Sequence, residues 1–456
     1  MKKHKNVLQK TAEAPAEVLA RTVIATQRMG AALPGGAVIK KTKDYWHMLG
    51  PGLTTGASDD DPSGIATYSQ TGAQFGFHFL WLSVWTFPLM ATVQEMCARI
   101  GLVTGRGLAG NIRIHFSKRM LYLCTVLLFA ANAFNIGADL GAMAKAVQLL
   151  NPHLPFPLVI VVITIVSLGL QIFTPYVRYA KYLKWMALVL LSYIVSAFLA
   201  HPDWGTVLHH TFVPQLSFNK DEILLVCAVL GTTISPYLFF WQTSQEVEEQ
   251  ILMGKTTMHL RRPTDPNAIK SMRADVWSGM LLSNLVMFFI IAACGSILFP
   301  HGITHIESAA QAAEGLRPFA GNATYFLFAI GIIGTGMLAI PVLAGSSSYA
   351  LAESFRWREG LYRNLDQAYA FYGVIIISML VGLGINFIGL DPIKALIYAA
   401  VGNALVAPII LLLIVLMSSN KKLMGRWANK RASTYVGWLC VLLMTASGVA
   451  AIFTLF

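Results

Sequence analysis

The sequence predicts an all-α polytopic membrane protein with eleven transmembrane helices. Of its 456 residues, 55% are hydrophobic and only 12% are charged, whereas a soluble protein carries about a quarter charged residues. The apolar residues also occur in blocks of about twenty, which is the length of a helix that crosses a bilayer. These two observations exclude an ordinary soluble domain.

The basic residues support the number of spans and give them an orientation. The eleven apolar blocks are centred near Ala57, Phe87, Phe134, Ser167, Ile194, Ser235, Phe288, Gly336, Met379, Ile409 and Val441. If the N-terminus is cytoplasmic, the inner segments hold twenty-nine Lys and Arg residues and the outer loops hold only Lys220, Arg317 and Lys394. This is the positive-inside bias. The net charge of +12 therefore records topology and attraction to anionic lipid, and it indicates no nucleic-acid partner.

The chain divides into four predicted parts. Residues 1–44 form a basic cytoplasmic tail, which is too polar for a cleavable signal peptide. Residues 45–201 hold spans one to five, residues 220–418 hold spans six to ten, and residues 432–456 hold the eleventh. With an odd number of spans the C-terminus lies outside. We expect a multi-pass protein of the plasma or inner membrane that needs no oligomer.

Two of the predicted spans are broken. The first contains Asp59-Asp60-Asp61-Pro62-Ser63-Gly64, and the sixth contains Gly231-Thr232-Thr233-Ile234-Ser235-Pro236-Tyr237. Proline removes a helical hydrogen bond, and neighbouring glycine or serine eases unwinding. Breaks in the first and sixth spans are typical of an inverted five-plus-five repeat, whose substrate site lies between them. The simpler interpretation is that both prolines only kink their helices.

The carboxylates favour a cation site at these breaks. A charge in hydrocarbon costs roughly 3 kcal/mol or more, so Asp59, Asp60 and Asp61 need a compensating partner. Unwound backbone exposes carbonyl oxygens, which are ligands for hard cations.

The first two spans resemble the Nramp family of divalent metal transporters. The similar segments are Gly50-Pro51-Gly52-Leu53, Asp61-Pro62, Thr71-Gly72-Ala73-Gln74-Phe75-Gly76 and Ala98-Arg99-Ile100-Gly101-Leu102-Val103-Thr104-Gly105-Arg106. The resemblance implies a LeuT-type fold, with a transported metal held between the broken first and sixth helices.

The chain departs from the family pattern at three places. The family's Asp-Pro-Gly-Asn motif reads Asp61-Pro62-Ser63-Gly64 here, so Gly64 replaces the asparagine ligand. The family's Ala-x-x-Met-Pro-His motif reads Thr232-Thr233-Ile234-Ser235-Pro236-Tyr237, so the thioether and the imidazole are absent. The family often carries a third-span aspartate followed three residues later by glutamate, and here Asp139 is followed by Ala142.

These departures favour a hard cation. We predict a metal site formed by Asp61, Gly64, Thr232 and Ser235, in which the ligands are oxygen and the small side chains leave room for water. Carboxylate, carbonyl and water ligands suit Mg²⁺, Ca²⁺ and Mn²⁺. The pattern resembles the Nramp-related branch associated with magnesium, which implies Mg²⁺ as substrate with Mn²⁺ also carried. The metal is then cargo, and no cofactor is expected.

Further polar residues are candidates for the ion pathway, namely Asp59, Asp60, Asp139, Gln242 and Gln245. Asp59 and Asp60 are equally well interpreted as solvated charges at a cavity mouth. Asp275, which opens the seventh span, is expected to pair with Arg273 or Lys270.

The predicted function is secondary transport of divalent metal and not enzymatic catalysis. The chain has no P-loop, GxSxG, HExxH or Cys/His quartet, and the missing glutamate at Ala142 favours entry without proton coupling. The alternatives are a proton-coupled Mn²⁺/Fe²⁺ transporter of the same family and an amino-acid or amine symporter of LeuT-type fold. A receptor without transport would have no use for two broken spans.

Overall fold

A computed structural model describes residues 45–46, 48–174, 176–215, 219–262, 264–306, 309–388 and 392–455. The predicted tail, residues 1–44, lies outside them. From residue 50 onwards the described elements are helical: α1 Pro51–Ala57, α2 Pro62–Phe75, α3 Trp81–Thr104, α4 Leu108–His115, α5 Lys118–Leu150, α6 Phe156–Phe173, α7 Tyr176–Met186, α8 Leu191–Leu199, α9 Trp204–Phe212, α10 Lys220–Thr233, α11 Pro236–Leu252, α12 Met258–Arg261, α13 Pro266–Ile297, α14 Ala309–Phe355, α15 Tyr369–Ile385, α16 Pro392–Ser419, α17 Lys421–Met424 and α18 Arg431–Leu455. Three short 3₁₀ turns connect some of them.

Within these described ranges, seven helical segments are long and apolar enough to cross a membrane. They are Lys118–Leu150, Phe156–Phe173, Arg178–Leu199, Lys220–Leu252, Pro266–Ile297, Gly321–Phe355 and Arg431–Ala450. Leu405–Ser419 and Lys421–Trp427, bent by 60°, form an eighth if the bent pair is one span. The three remaining predicted centres fall at the end of α1, in α3 and in α15. The predicted all-α membrane architecture is therefore confirmed.

Both predicted breaks are present, and each has the same local cause. Asp61 caps α2 in an extended conformation (φ −69°, ψ 167°), and Pro62 occupies the first turn. Ser235 precedes α11 in an extended conformation (φ −85°, ψ 131°), again with proline in the first turn. Proline suits the first turn of a helix, because that turn needs no N–H partner. Each proline therefore ends one half-helix and begins the next.

Helix α13 holds the first broken span in place. It packs against α1, α2 and α3, while α10 packs against α2 and α11 packs against α1 and α3. The backbones of α1 and α13 touch, since a Cβ added at Gly279 would lie only 2.0 Å from the Gly52 carbonyl oxygen. Glycine is required there by close approach.

Asp275 of α13 caps the N-terminus of α1. Its carboxylate accepts the backbone N–H groups of Gly50 (2.8 Å), Gly52 (2.7 Å) and Leu53 (3.0 Å). The predicted pairing of Asp275 with Arg273 or Lys270 is wrong, because Arg273 instead forms an ion pair with Glu95 at 2.9 Å. A carboxylate suits the positive end of a helix, and here it comes from a distant part of the chain.

Candidate metal site at the two helix breaks

The first break is built around Asp61. Its Oδ1 accepts the backbone N–H of Gly64 at 2.7 Å and the hydroxyl of Ser63 at 2.6 Å. A Cβ added at Gly64 would lie 3.4 Å from the Asp59 carbonyl oxygen and 3.5 Å from Asp61 Oδ1. The absence of a side chain at Gly64 thus leaves space directly beside the Asp61 carboxylate.

Asp59 and Asp60 are buried, with no exposed surface. The hydroxyl of Ser283 on α13 donates to Asp59 Oδ2 at 2.8 Å and lies 3.4 Å from Asp60 Oδ1. Asp59 Oδ1 and Asp60 Oδ2 have no hydrogen-bond partner. The interpretation of these residues as solvated charges at a cavity mouth therefore does not fit the structure.

The second break supplies hydroxyl and carbonyl oxygens. Thr232 donates its hydroxyl to the Val229 carbonyl at 3.0 Å, and Ser235 donates to the Thr232 carbonyl at 2.7 Å. Each hydroxyl keeps oxygen lone pairs after donating. The Thr232 carbonyl, however, is already engaged by Ser235.

Two tyrosines join the breaks. Tyr237, in the first turn of α11, donates its hydroxyl to the Ser58 carbonyl at 2.8 Å. The Tyr68 hydroxyl on α2 lies 3.4 Å from Thr233 Oγ1. Both rings are fully buried. The two half-sites are thus in direct contact.

Asp139 of α5 borders the same region. It is fully buried, and neither of its oxygens has a hydrogen-bond partner, although Asp61 and the Ser63 amide are near enough to act on it electrostatically. In the part of the chain that the structure describes, no Lys, Arg or His forms an ion pair with Asp59, Asp60, Asp61 or Asp139. An unpaired buried charge costs several kcal/mol, so a bound cation would relieve this region.

Gln242 and Gln245 lie farther along α11 and are buried. Gln242 donates to Glu246 at 2.9 Å, and its Oε1 has no partner. Both glutamines lie inside α11, beyond its first turn at Pro236. Their role in an ion pathway stays a prediction.

Sequence reasoning missed two sulfur atoms and one hydroxyl at the site. Met287 on α13 lies 4.0 Å from Thr233 Oγ1, and Met143 on α5 packs with Pro62 against Gly336. Together with Ser283 they come from helices that carry no break. Nothing local in the sequence marks them, since each is an ordinary residue of an apolar helix.

The described residues contain no group of three or more His, Cys, Asp and Glu side chains arranged to hold a metal ion. The arrangement is instead a small set of open carboxylate oxygens, hydroxyls and carbonyls around two breaks. Such a set favours a cation that is only partly stripped of water.

Comparison with known proteins places the chain among transporters. The family profile described as Natural resistance-associated macrophage protein-like (Nramp) matches residues 52–454. A divalent metal cation transporter MntH of Caldanaerobacter subterraneus subsp. tengcongensis is 25% identical over 420 residues, which are 91% of this chain and 94% of that protein. The MntH of Klebsiella pneumoniae is 25% identical over 406 residues, covering 88% and 92%.

Two solved structures share the fold. The manganese transporter of Eremococcus coleocola, in complex with an aromatic bis-isothiourea substituted compound, aligns with a TM-score of 0.71 at 19% identity, covering 92% of this chain and 89% of that one. Mhp1, a nucleobase-cation-symport-1 family transporter, aligns with a TM-score of 0.57 at 14% identity, covering 89% and 91%. These likenesses confirm the predicted LeuT-type fold.

Proposed function

The chain belongs to the Nramp family and is a divalent metal cation transporter, and from that premise we propose that it carries Mg²⁺ and, second, Mn²⁺ into the cell. Ions would bind between the α1–α2 break and the α10–α11 break and cross by alternating access. The metal is transported substrate, and the protein is not an enzyme. Family membership also decides against the amino-acid symporter.

One observation gives this proposal its strongest support. Four buried carboxyl groups, Asp59, Asp60, Asp61 and Asp139, surround the first break without an ion-pair partner among the described residues. Asp61 stands next to the space left by Gly64. A divalent cation would neutralise this region, and its remaining positions would be filled by hydroxyls, carbonyls and water.

The preference for Mg²⁺ rests on the ligand types. Ser235 stands where the family motif has methionine, and Tyr237 stands where it has histidine. Oxygen ligands suit Mg²⁺ and Mn²⁺, whereas sulfur and imidazole favour later transition metals. The relatives at 25% identity are named for divalent metal cation transport, and the solved structure at 19% identity is named for manganese transport. The proposed preference for Mg²⁺ therefore rests on the residues of this chain alone.

Entry needs no proton in this proposal. A divalent cation that moves inward across about 100 mV gains about 4.6 kcal/mol, which is twice the value for one charge. Ala142 lacks the carboxyl group that many family members carry three residues after the aspartate. We expect the membrane potential to drive uptake alone.

The test is metal uptake into proteoliposomes. Mg²⁺, Mn²⁺ and Ca²⁺ would be offered separately while internal pH is followed, and binding would be measured by isothermal titration. We expect Asp61→Ala to abolish binding and uptake of Mg²⁺, while Asp366→Ala, an exposed aspartate, leaves both unchanged. Unchanged Mg²⁺ binding in Asp61→Ala would contradict the proposed metal site. Metal-dependent acidification of the lumen would contradict transport without proton coupling.

A second candidate is a Mn²⁺ transporter with proton coupling. It is favoured by the manganese transporters among the structural neighbours and by the two thioethers, Met287 and Met143, that border the site. The variant Met287→Leu keeps the volume and removes the sulfur. If Mn²⁺ affinity falls while Mg²⁺ affinity does not, Met287 is a ligand, and a Mn²⁺ transporter is supported. Equal affinities in the variant and the wild type favour the oxygen site.

Location and topology are also proposed. We infer a plasma or inner membrane location with the N-terminus in the cytoplasm, the C-terminus outside and no required oligomer. The support is the placement of basic residues along the sequence.

A further inference from the structure

The connections at one end of the helices line a partly open cavity of about 370 Å³, and none of the break residues lines it. Its walls come from the end of α3, α4, the end of α11, α12 and the segment that follows α14. These segments were all predicted to face the same side of the membrane, and they do meet at one cavity; which side of the membrane this is stays a prediction. The cavity is distinct from the metal site.

Arginine dominates the wall of this cavity. The six are Arg106, Arg113, Arg261, Arg356, Arg358 and Arg363. Three glutamates also line it, Glu248, Glu353 and Glu359. Even with all three glutamates ionised, six guanidinium groups leave an excess of three positive charges.

Two of the glutamates are engaged by other groups. Glu248 accepts the Leu361 N–H at 2.9 Å and the Tyr349 hydroxyl at 2.6 Å. Glu353 accepts the Gly110 N–H at 2.7 Å and approaches Gly107 so closely that a Cβ there would lie 1.6 Å from its Oε1. These carboxylates bond to the surrounding backbone and to Tyr349, and neither forms an ion pair within hydrogen-bonding distance of a described arginine.

The guanidinium groups are only partly satisfied. Arg113 donates to the Glu353 carbonyl, and Arg363 donates to the Glu359 carbonyl at 3.0 Å and lies over the Tyr362 ring. Over the described ranges of the chain, none of the six forms an ion pair, and the buried Nε atoms of Arg106 and Arg261 have no hydrogen-bond partner. Burial lowers the pKa of Arg106, and the neighbouring Arg262, Arg113 and Arg261 lower it further. Glu353 raises the pKa of Arg106 but is the smallest of these influences, so positive charge is crowded here and only partly compensated.

We propose that this arginine cavity binds a phosphate-bearing anion. The planar guanidinium group binds phosphate through two parallel hydrogen bonds, and several such groups converge on this space. A divalent cation is excluded by the like charge of the wall. The N-terminal segment 1–44 does not suit the cavity either, since it holds nine Lys and Arg against three acidic residues.

The anion has two possible sources, a phosphorylated lipid headgroup and a soluble phosphate. Trp357 lines the cavity and stacks on Phe355 at 5.0 Å, which stacks on Tyr122 at 5.5 Å. All three rings are exposed. Aromatic side chains gather at the headgroup level of a membrane, so this stack would place lipid beside the arginines.

The test uses the full chain in phosphatidylcholine nanodiscs. One arm titrates inorganic phosphate and follows the thermal unfolding midpoint. The other arm adds phosphatidic acid to the discs and measures its retention by native mass spectrometry. We expect the midpoint to rise with one or both probes, and the probe that acts identifies the source.

The variant Arg106→Gln/Arg261→Gln should weaken binding of the active probe at least about tenfold, because it removes two groups that can donate charge-assisted hydrogen bonds to phosphate. Lys421→Gln/Lys422→Gln, which removes two exposed charges outside the cavity, should leave it unchanged. If the first variant does not fold, Arg356→Gln/Arg358→Gln takes its place in the binding test. Both of these side chains are exposed, so their replacement should not disturb folding. Mg²⁺ binding reports on folding and is expected to persist. Failure of both probes in the wild type, or equal binding in all variants, overturns the proposal.

Discussion

Glu359 shows how one carboxyl group responds to its surroundings. Burial, followed by the charges of Glu353 and Glu248, raises its pKa from 4.5 to about 9. The positive charges of Arg113 and Arg261 lower the pKa of Glu359, but by less than the other effects raise it. The neutral form is thus favoured in the folded protein at neutral pH.

The variant Glu359→Gln should make stability less dependent on pH. A carboxyl group whose pKa is raised on folding gives no penalty below its unfolded pKa, and it destabilises the protein progressively as pH rises towards its folded pKa. The unfolding midpoint of the variant should therefore exceed that of the wild type at about pH 8 and approach it near about pH 5. Glu314→Gln, at an exposed glutamate, is the control. A constant difference across this range would contradict the assignment.

At the proposed metal site, single residues would decide which donor atoms face the ion. The double variant Gly64→Asn/Ser235→Met restores the amide and the thioether of the family motifs. A Cβ added at Gly64 would meet only ordinary van der Waals distances, from 3.4 Å upwards. We expect the ratio of Cd²⁺ to Mg²⁺ affinity, measured by isothermal titration, to rise by about tenfold, since sulfur favours softer metals.

The control for that change is Ser235→Ala, which removes the hydroxyl without adding sulfur. Its affinity ratio should stay near that of the wild type. An unchanged ratio in the double variant as well would mean that residues 64 and 235 do not face the ion.

At the scale of helices, α1 and α13 form one packed pair. A Cβ at Gly279 would lie 2.0 Å from the Gly52 carbonyl oxygen and 2.6 Å from its carbonyl carbon. The variant Gly279→Ala should therefore destabilise the protein by about 1–3 kcal/mol, the usual range for overpacking. Gly373→Ala in α15 is the matched control, because a Cβ there meets nothing within 4 Å. Thermal unfolding in one detergent should separate the two, and equal midpoints would mean that α1 moves aside freely.

The helices and both breaks could be predicted from sequence because their causes are local. Apolar blocks give the helices, and Asp61-Pro62 and Ser235-Pro236 contain both the extended residue and the proline that starts the next half-helix. The partners of Asp275 could not be predicted from the local sequence. Its partners at residues 50–53 are more than two hundred positions away, and the nearer arginine was wrongly chosen.

The same limit applies to the candidate site. Asp61 and Ser235 stand in the broken motifs themselves, so the local sequence marks them as candidates. The hydrogen bond of Tyr237 to Ser58 was not predicted, because it joins two segments far apart in the chain. Ser283 and Met287 lie on α13, which has no break and no local signal. Their distances to Asp59 and Thr233 depend on how three helices pack, and this information is not contained in any one segment.

At the scale of the whole molecule, topology can be tested by cysteine labelling. The five native cysteines are buried, so background reaction with a membrane-impermeant maleimide should be low. His209→Cys, in the predicted outer connection, should react in intact cells. Lys421→Cys, in the predicted inner connection, should react only after permeabilisation. Both native side chains are exposed, and the opposite pattern would invert the proposed orientation.

The hydrogen bond from Tyr237 to the Ser58 carbonyl has a consequence for the hydration of the cargo. The carbonyl oxygens of Ser58 and Thr232 each already accept a hydrogen bond from a hydroxyl. Fewer backbone lone pairs are therefore left to replace the water molecules bound to the ion. An octahedral ion would then keep several water molecules while it is bound. Mg²⁺ dehydrates reluctantly, and a carrier that leaves part of the shell in place lowers the barrier to loading it. At the proposed site, the Tyr237 hydroxyl would thus act on the ion indirectly, by setting how many water molecules stay bound to it.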